Sequence, residues 1–235
     1  MNDAMAISPD QHLHIGGIIF PKKDQTDFTG PFAILSRVPN STFHVIGRDR
    51  NPVTDEHGLL LTPETTFSDA PALDVLIIPG GSGQVAMMED RKAIAFIRER
   101  AATAKCVLSV CTGAFLCGAA GLLEGRRWTT HWASHHLLNE FGAIPIDERV
   151  VVDGKFVSAA GITAGLDGAL RVAALLRGDD VARQIQLAIE YQPEPPFQSG
   201  SPKTAPAHVL EKARVAFQQL IDRRLEQMKR LNSPG

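Results

Sequence analysis

One cysteine in this chain is placed as covalent chemistry requires. Cys111 stands where the apolar run Cys106-Val-Leu-Ser-Val meets Thr112-Gly113-Ala114-Phe115, a helix-forming segment. A side chain at such a strand-to-helix turn, with a glycine two residues on, is held at the carboxyl end of a sheet, where α/β folds place ligands. The N–H groups and positive dipole end of the next helix favour thiolate over thiol. Cys111 therefore reads as a nucleophile with a depressed pKa. Cys106, at the start of the strand, and Cys117, inside the helix, read as core, because free cysteine is among the most buried residue types.

A thiol nucleophile needs a group that moves protons. Pro21-Lys-Lys-Asp24-Gln-Thr-Asp27-Phe-Thr-Gly30-Pro31 supplies two carboxylates after an earlier strand. Asp27, at the apparent start of a helix, suits an N-terminal cap as well as it suits a catalyst. Pro79-Gly80-Gly81-Ser82-Gly83 follows a further strand. Its bare backbone can bring N–H groups to a developing negative charge, or it can be a plain tight turn. Gly81-x-Gly83-x-x-Ala86 also matches the dinucleotide fingerprint in form. Cys106–Val110 ends in no acid for a ribose, however, and no cofactor is expected.

His131, His135 and His136 form a histidine cluster. His131 and His135 are four apart and could share a helix face, but no HExxH pattern or third soft ligand accompanies them, so no metal is expected. His131, between Thr130 and Trp132, is a candidate pocket-lining residue. Ala133 stands where an amidotransferase-type triad would want an acid. Gly161-Ile162-Thr163-Ala164-Gly165 is either a capped turn or the small-residue wall of a pocket.

The elements that must position these groups alternate. Leu13–Phe20, Phe43–Gly47, Asp74–Ile78 and Cys106–Val110 are strand-like, and runs so free of polar alternation suit strands covered on both faces. Helical patterns occupy Asp90–Ala102, Thr112–Leu123, Thr163–Leu176 and Val181–Tyr191. Arg149–Asp153 and Lys155–Ser158 flank the hairpin signal Asp153-Gly154. The pattern predicts an α/β fold, a doubly wound and mostly parallel sheet with helices on both faces. Residues 1–191 are expected to form the body. In 192–235, a proline-rich connector leads to an amphipathic helix, Ala207–Leu231, that must pack on the body or on a partner subunit.

Composition narrows the function classes. With 44% hydrophobic and 21% charged residues, a chain of 235 residues can bury a full core. The net charge of −2 is spread without blocks, which speaks against a nucleic-acid or anionic-membrane surface. No apolar run approaches the roughly 18 residues of a membrane span, and the N-terminus lacks a signal-peptide pattern. Three cysteines within twelve positions do not make a disulfide scaffold, and a cytoplasmic protein is expected.

Asp27-Phe-Thr-Gly-Pro, Leu76-Ile-Ile-Pro-Gly-Gly, Ser109-Val-Cys-Thr-Gly-Ala-Phe and Ala120-Gly-Leu-Leu-Glu-Gly-Arg-Arg-Trp-Thr-Thr-His-Trp together resemble the ThiJ/PfpI superfamily. That superfamily has the flavodoxin-like, class I glutamine amidotransferase-like fold. Ala160-Gly-Ile-Thr-Ala-Gly-Leu-Asp and Ile189-Glu-Tyr-Gln-Pro-Glu-Pro-Pro-Phe-Gln-Ser-Gly-Ser-Pro are similar to isonitrile hydratases. Regulators of the superfamily need two helix-turn-helix units after the domain, and only one helix follows here. The resemblance implies conversion of a small isonitrile to an N-substituted formamide through a cysteine thioimidate. Cys111 would be the nucleophile and Asp27 the proton carrier, with Thr112 hydrogen-bonded to the reacting centre. Gly81, Ile162 and Thr163 would line the pocket, with His131 beside them in a less defined role. Many superfamily members carry a glutamate where this chain has Asp27, and the hydratases share the aspartate. A homodimer is implied as well. Glyoxalase-like or amidase-like chemistry on carbonyls, or a cysteine redox sensor that binds ligands without turnover, remain the alternatives.

Overall fold

A computed structural model describes residues 5–232; residues 1–4 and 233–235, the outer ends of the predicted body and tail, lie outside the described residues. The chain opens with β1 (Leu13–Ile18), α1 (Gln25–Leu35), β2 (Ser41–Gly47), β3 (Val53–Thr54), β4 (Leu60–Leu61) and β5 (Thr65–Thr66). It continues through β6 (Val75–Ile78), α2 (Gln84–Met87), α3 (Arg91–Thr103), β7 (Cys106–Val110), α4 (Gly113–Ala119) and β8 (Arg127–Trp128). A 3₁₀ helix (Trp132–Phe141) then precedes β9 (Ile144–Pro145), β10 (Val150–Asp153) and β11 (Phe156–Ala159). Helices α5 (Ala164–Arg177), α6 (Asp179–Ala188) and α7 (Ala207–Asn232) complete the described chain.

Seven strands form one sheet in the order β10-β11-β7-β6-β1-β2-β5. All neighbours are parallel except β10, which pairs antiparallel with β11 across the Asp153-Gly154 turn. The uninterrupted apolar strands are explained by burial on both faces. Ile15, Val75, Ile77, Leu108, Val110 and Val157 face a layer containing Ile34 and Leu35 of α1 and Val172 and Leu176 of α5. The alternate residues Ile18, Leu76, Ile78, Val107 and Phe156 face Phe96 and Ile97 of α3 and Phe115 and Leu116 of α4. The expected mostly parallel, doubly wound sheet is therefore observed, and its carboxyl edge gathers the turns after β1, β6, β7 and β11.

Several local features depart from the pattern. The small pairs β3–β4 and β8–β9 have no counterpart in the expected element order. The segment after His131 is a 3₁₀ helix, whose three residues per turn take His131 and His135 off a common face. Helix α7 spans the expected range, but Leu231, expected on its packed stripe, is 40% exposed while Arg224, Gln227 and Met228 are buried. No described helix is long and apolar enough to cross a membrane.

Candidate active site

Cys111 follows β7 directly and has φ of +54°, in the left-handed region that costs a non-glycine residue roughly 1–3 kcal/mol. The strained turn is held from both sides. The Cys111 N–H donates to the Ala159 carbonyl at 3.0 Å, and the Cys111 carbonyl accepts from the Thr130 hydroxyl at 2.6 Å. Gly113 is required by proximity: a Cβ there would lie 2.1 Å from the Ile78 carbonyl oxygen. The apolar strands β6 and β11 thus flank a turn that aims the thiol out of the sheet's carboxyl edge.

The two carboxylates after β1 have separate duties. Asp24 caps α1, accepting from the Thr26 N–H at 2.8 Å and the Asp27 N–H at 3.2 Å. Asp27 is therefore not the cap, and the alternative that explained it without chemistry is overturned. Its carboxyl is fully buried; Oδ2 accepts from the Gly80 N–H at 2.9 Å, and the Cys111 thiol interacts with the same carboxyl. Among the described residues Oδ1 finds no nitrogen or oxygen donor.

The glycine turn after β6 is committed to these side chains. The Gly80 N–H holds Asp27, and the Gly81 N–H donates to Thr112 Oγ1 at 3.1 Å, so both expected oxyanion donors are already engaged. Gly80 must lack a side chain, since a Cβ there would stand 2.5 Å from Thr112 Oγ1 and 2.9 Å from Asp27 Oδ2. Gly83 packs on the loop after β1, and a Cβ there would meet the Pro21 carbonyl oxygen at 1.9 Å. The turn is thus filled by protein where a dinucleotide fingerprint would need an open cradle.

Burial dominates the electrostatics. It raises Asp27 well above the usual carboxylate range, with the neighbouring Asp24 charge adding to the effect and the Gly80 hydrogen bond opposing it. Burial, then the Asp27 carboxyl, also hold the Cys111 thiol well above its ordinary value, which corrects the depressed pKa expected from the helix start. The Thr112 N–H does favour thiolate, as expected, but α4 has only seven residues and the desolvation outweighs it. Burial thus favours a pair made of a carboxylic acid and a thiol. Such a pair can give one proton to a substrate atom and recover another from sulfur as sulfur attacks.

The other expected residues divide. His131 caps the 3₁₀ helix, its Nδ1 accepting from the Ala133 N–H at 3.3 Å; burial and the nearby Arg224 charge lower its pKa to about 4, leaving it neutral. His135 instead meets the Ile146 carbonyl at 3.0 Å. Ile162 packs on the apolar cluster that includes Cys111. Thr163 is exposed, its hydroxyl accepting from Arg149 at 3.2 Å, and no described hydrogen bond joins it to the cysteine.

Two residues that sequence reasoning missed belong to the same constellation. Thr130 pins the cysteine carbonyl, as described above. Arg224, on α7, is 3% exposed and reaches Gln84 Oε1 at 3.0 Å, Ser134 Oγ at 2.9 Å and Thr112 Oγ1 at 3.5 Å. Its signal was an arginine falling in register with the apolar stripe that Phe217, Leu220, Ile221 and Met228 mark on the helix.

Comparison with known proteins agrees with this architecture. The chain is 52% identical to an isonitrile hydratase of Pseudomonas putida over 86% of its own length and 89% of that relative. It is 31% identical to the deglycase TK1284 of Thermococcus kodakarensis over 49% of its length and 71% of the deglycase. A solved THiJ/PfpI family protein from Pseudomonas syringae superposes with a TM-score of 0.90 at 37% identity, covering 93% of this chain and 91% of that one. With the DJ-1/PfpI family model matching residues 17–175, the chain belongs to the DJ-1/PfpI family.

Proposed function

We propose that the protein hydrates isonitriles, R–N≡C, to N-substituted formamides. The observation that carries this reading is the buried Asp27 carboxyl against the Cys111 thiol, in a chain 52% identical to an isonitrile hydratase. The terminal carbon of an isonitrile is weakly basic and becomes electrophilic once protonated. Asp27, which burial keeps in its acid form, gives that carbon a proton. Cys111 Sγ forms the C–S bond, and the thiol proton passes to Asp27, leaving a thioimidate, R–N=CH–S. Water then adds to the same carbon as Asp27 takes a proton from it and delivers one to nitrogen. The C–S bond of the adduct breaks, the hydroxyl proton reaches the departing sulfur, and R–NH–CHO leaves with acid and thiol restored.

Thr112 is the hydrogen-bonding residue at the reacting centre in this scheme, with Gly81 acting through its N–H on the Thr112 hydroxyl. Ile162 and neutral His131 form the apolar wall, and Thr163 its outer edge beside Arg149. The substrate is small and largely apolar, with little to offer charged groups. A homodimer in the cytoplasm belongs to the same proposal. Three unpaired, buried cysteines suit a reducing compartment, and sedimentation tests the dimer.

The deglycase relative supports a second reading, in which the same cysteine acts on a carbonyl. Release of formamide from para-nitrophenyl isocyanide separates the two. Multiple turnover by wild type that vanishes in Cys111→Ala is the expected result. A folded, reduced wild type that releases no formamide overturns the hydratase reading and directs the search to carbonyl substrates.

A further inference from the structure

We propose that Arg224, at the buried end of α7, is a positioning residue of this active site, holding the Thr112 hydroxyl in its working orientation and supplying the fixed positive charge that Cys111 faces. The inference rests on the hydratase reading for its chemistry and on hydrogen-bond accounting for its geometry. A threonine oxygen has two lone pairs and one hydrogen. At Thr112 both lone pairs are taken, one by the Gly81 N–H at 3.1 Å and one by Arg224 Nη2 at 3.5 Å. Its own hydrogen has, among the described residues, a single long acceptor, the Gly81 carbonyl at 3.4 Å, and is otherwise available to a substrate atom. The Thr112 side chain makes no capping bond to α4 that would compete.

Burial makes the arginine an unusual choice for a merely structural role. Its guanidinium is held by neutral oxygens, Gln84 Oε1 at 3.0 Å and Ser134 Oγ at 2.9 Å, and no ion pair of the described residues includes it. Burying a cation without a carboxylate against it is costly, and an apolar side chain would serve packing better. Cys111 is the first of the groups whose negative charge would favour the guanidinium, ahead of Glu56, while Arg223 opposes it. The sulfur bears negative charge twice in the proposed cycle, as it attacks and as it leaves, and each time the cation is already in place. Helix α7 is anchored for this task by Phe217, whose ring lies 5.2 Å from that of His131 and 5.7 Å from that of Trp132, and by the fully buried Met228.

The groups that face Cys111 are Asp24 and Asp27 from the β1–α1 side and Arg224 from α7. Glu56, Arg223 and neutral His131 surround the arginine itself. The test compares full-length wild type with Arg224→Gln, Arg224→Lys, Thr112→Val and the double variant Thr112→Val/Arg224→Gln. The first readout is the rate of Cys111 alkylation by iodoacetamide between about pH 6 and pH 10, with the modified residue identified by mass spectrometry. Arg224→Gln is expected to move the profile to higher pH and to slow alkylation about tenfold at a given pH, while Arg224→Lys, which keeps the charge, stays near wild type. The second readout is isonitrile hydration. Arg224→Gln should lose about 10- to 100-fold in kcat with KM nearly constant, and in the Thr112→Val background the same change should cost less than it does in wild type, because only the charge contribution to Cys111 is left to lose.

An unchanged alkylation profile in folded Arg224→Gln, or losses that multiply in the double variant, would overturn the assignment. Should Arg224→Gln not fold, Arg224→Lys decides. Lost turnover with a wild-type alkylation profile supports the fork-and-charge role, and full turnover refutes it. Wild type that alkylates as expected but hydrates no isonitrile would remove the hydratase reading and leave the alkylation arms to judge Arg224.

Discussion

Asp27→Asn separates what the Asp27 carboxyl does for structure from what it does for chemistry. The side chain is fully buried, and its Oδ2 accepts from the Gly80 N–H at 2.9 Å, a bond that an asparagine carbonyl oxygen can keep. Because burial holds Asp27 in its acid form, the exchange replaces one neutral group with another of the same shape. A stability change below about 1 kcal/mol is expected. Asp27→Ala instead strands the Gly80 N–H in a buried site, at about 1–3 kcal/mol.

Activity should respond very differently. A positioned acid–base group contributes roughly 10²- to 10⁴-fold, and Asp27 transfers protons in both halves of the proposed cycle. An amide neither gives nor takes that proton, so kcat is expected to fall by about 10³-fold with KM little changed. Initial rates of formamide release, paired with urea unfolding of the same preparations, measure both quantities. A kcat within about fivefold of wild type would take Asp27 out of the proton path. Loss of several kcal/mol in Asp27→Asn would show that the ionised form is what the fold uses, against the raised pKa argued from burial.

The same carboxyl sets a direction for stability against pH. Its folded-state pKa is raised, so its stabilising contribution is complete below the unfolded value near 3.9 and is lost as pH climbs through the folded value. The melting temperature of wild type should therefore decline relative to Asp27→Asn as pH rises on the alkaline side of about 4, and parallel curves would refute that ionisation. Gly80→Ala tests the close approach on which the site depends. Its Cβ would meet Thr112 Oγ1 at 2.5 Å and Asp27 Oδ2 at 2.9 Å, so a loss of roughly 1–3 kcal/mol together with most of the activity is expected in urea unfolding and rate assays, and a fully active variant would contradict the packing.

The sheet was legible because its strands carry an unbroken apolar signal. Cys106–Val110 and the Asp153-Gly154 hairpin were read from sequence with almost the observed bounds, since two-face burial and a positive-φ turn leave few alternatives. The pairs β3–β4 and β8–β9 were not, because each strand is two residues long, too short for periodicity to register. The position of Cys111 at a strand-to-helix turn was legible, whereas its electrostatic surroundings were not. The helix-start argument counts local N–H groups, and the deciding influences are desolvation and a carboxyl that the fold brings from 84 positions earlier in the chain. Asp24 and Asp27 could not be told apart by type or spacing; only the turn geometry assigns the cap to the first and frees the second.

Arg224 shows a different limit of sequence reading. A charged residue within an amphipathic pattern is ordinarily taken to lie on the wet face, although Arg224 falls in register with the stripe through Phe217, Leu220 and Met228. Its burial follows from where α7 lands, over Gln84 of α2 and Ser134 of the 3₁₀ helix, and no local signal encodes that landing. The consequence is an unusual charge balance at the carboxyl edge of the sheet. Burial favours the acid form of Asp27, the thiol of Cys111 and the neutral imidazole of His131, while the arginine keeps its charge. A site of this kind favours steps in which a neutral substrate is protonated as sulfur becomes negative, because the anion forms beside a cation whose desolvation was met during folding. It disfavours substrates that arrive as cations, which would add a second buried positive charge. Small neutral isonitriles meet that condition, and a protonated-amine analogue of the same size should be the poorer substrate.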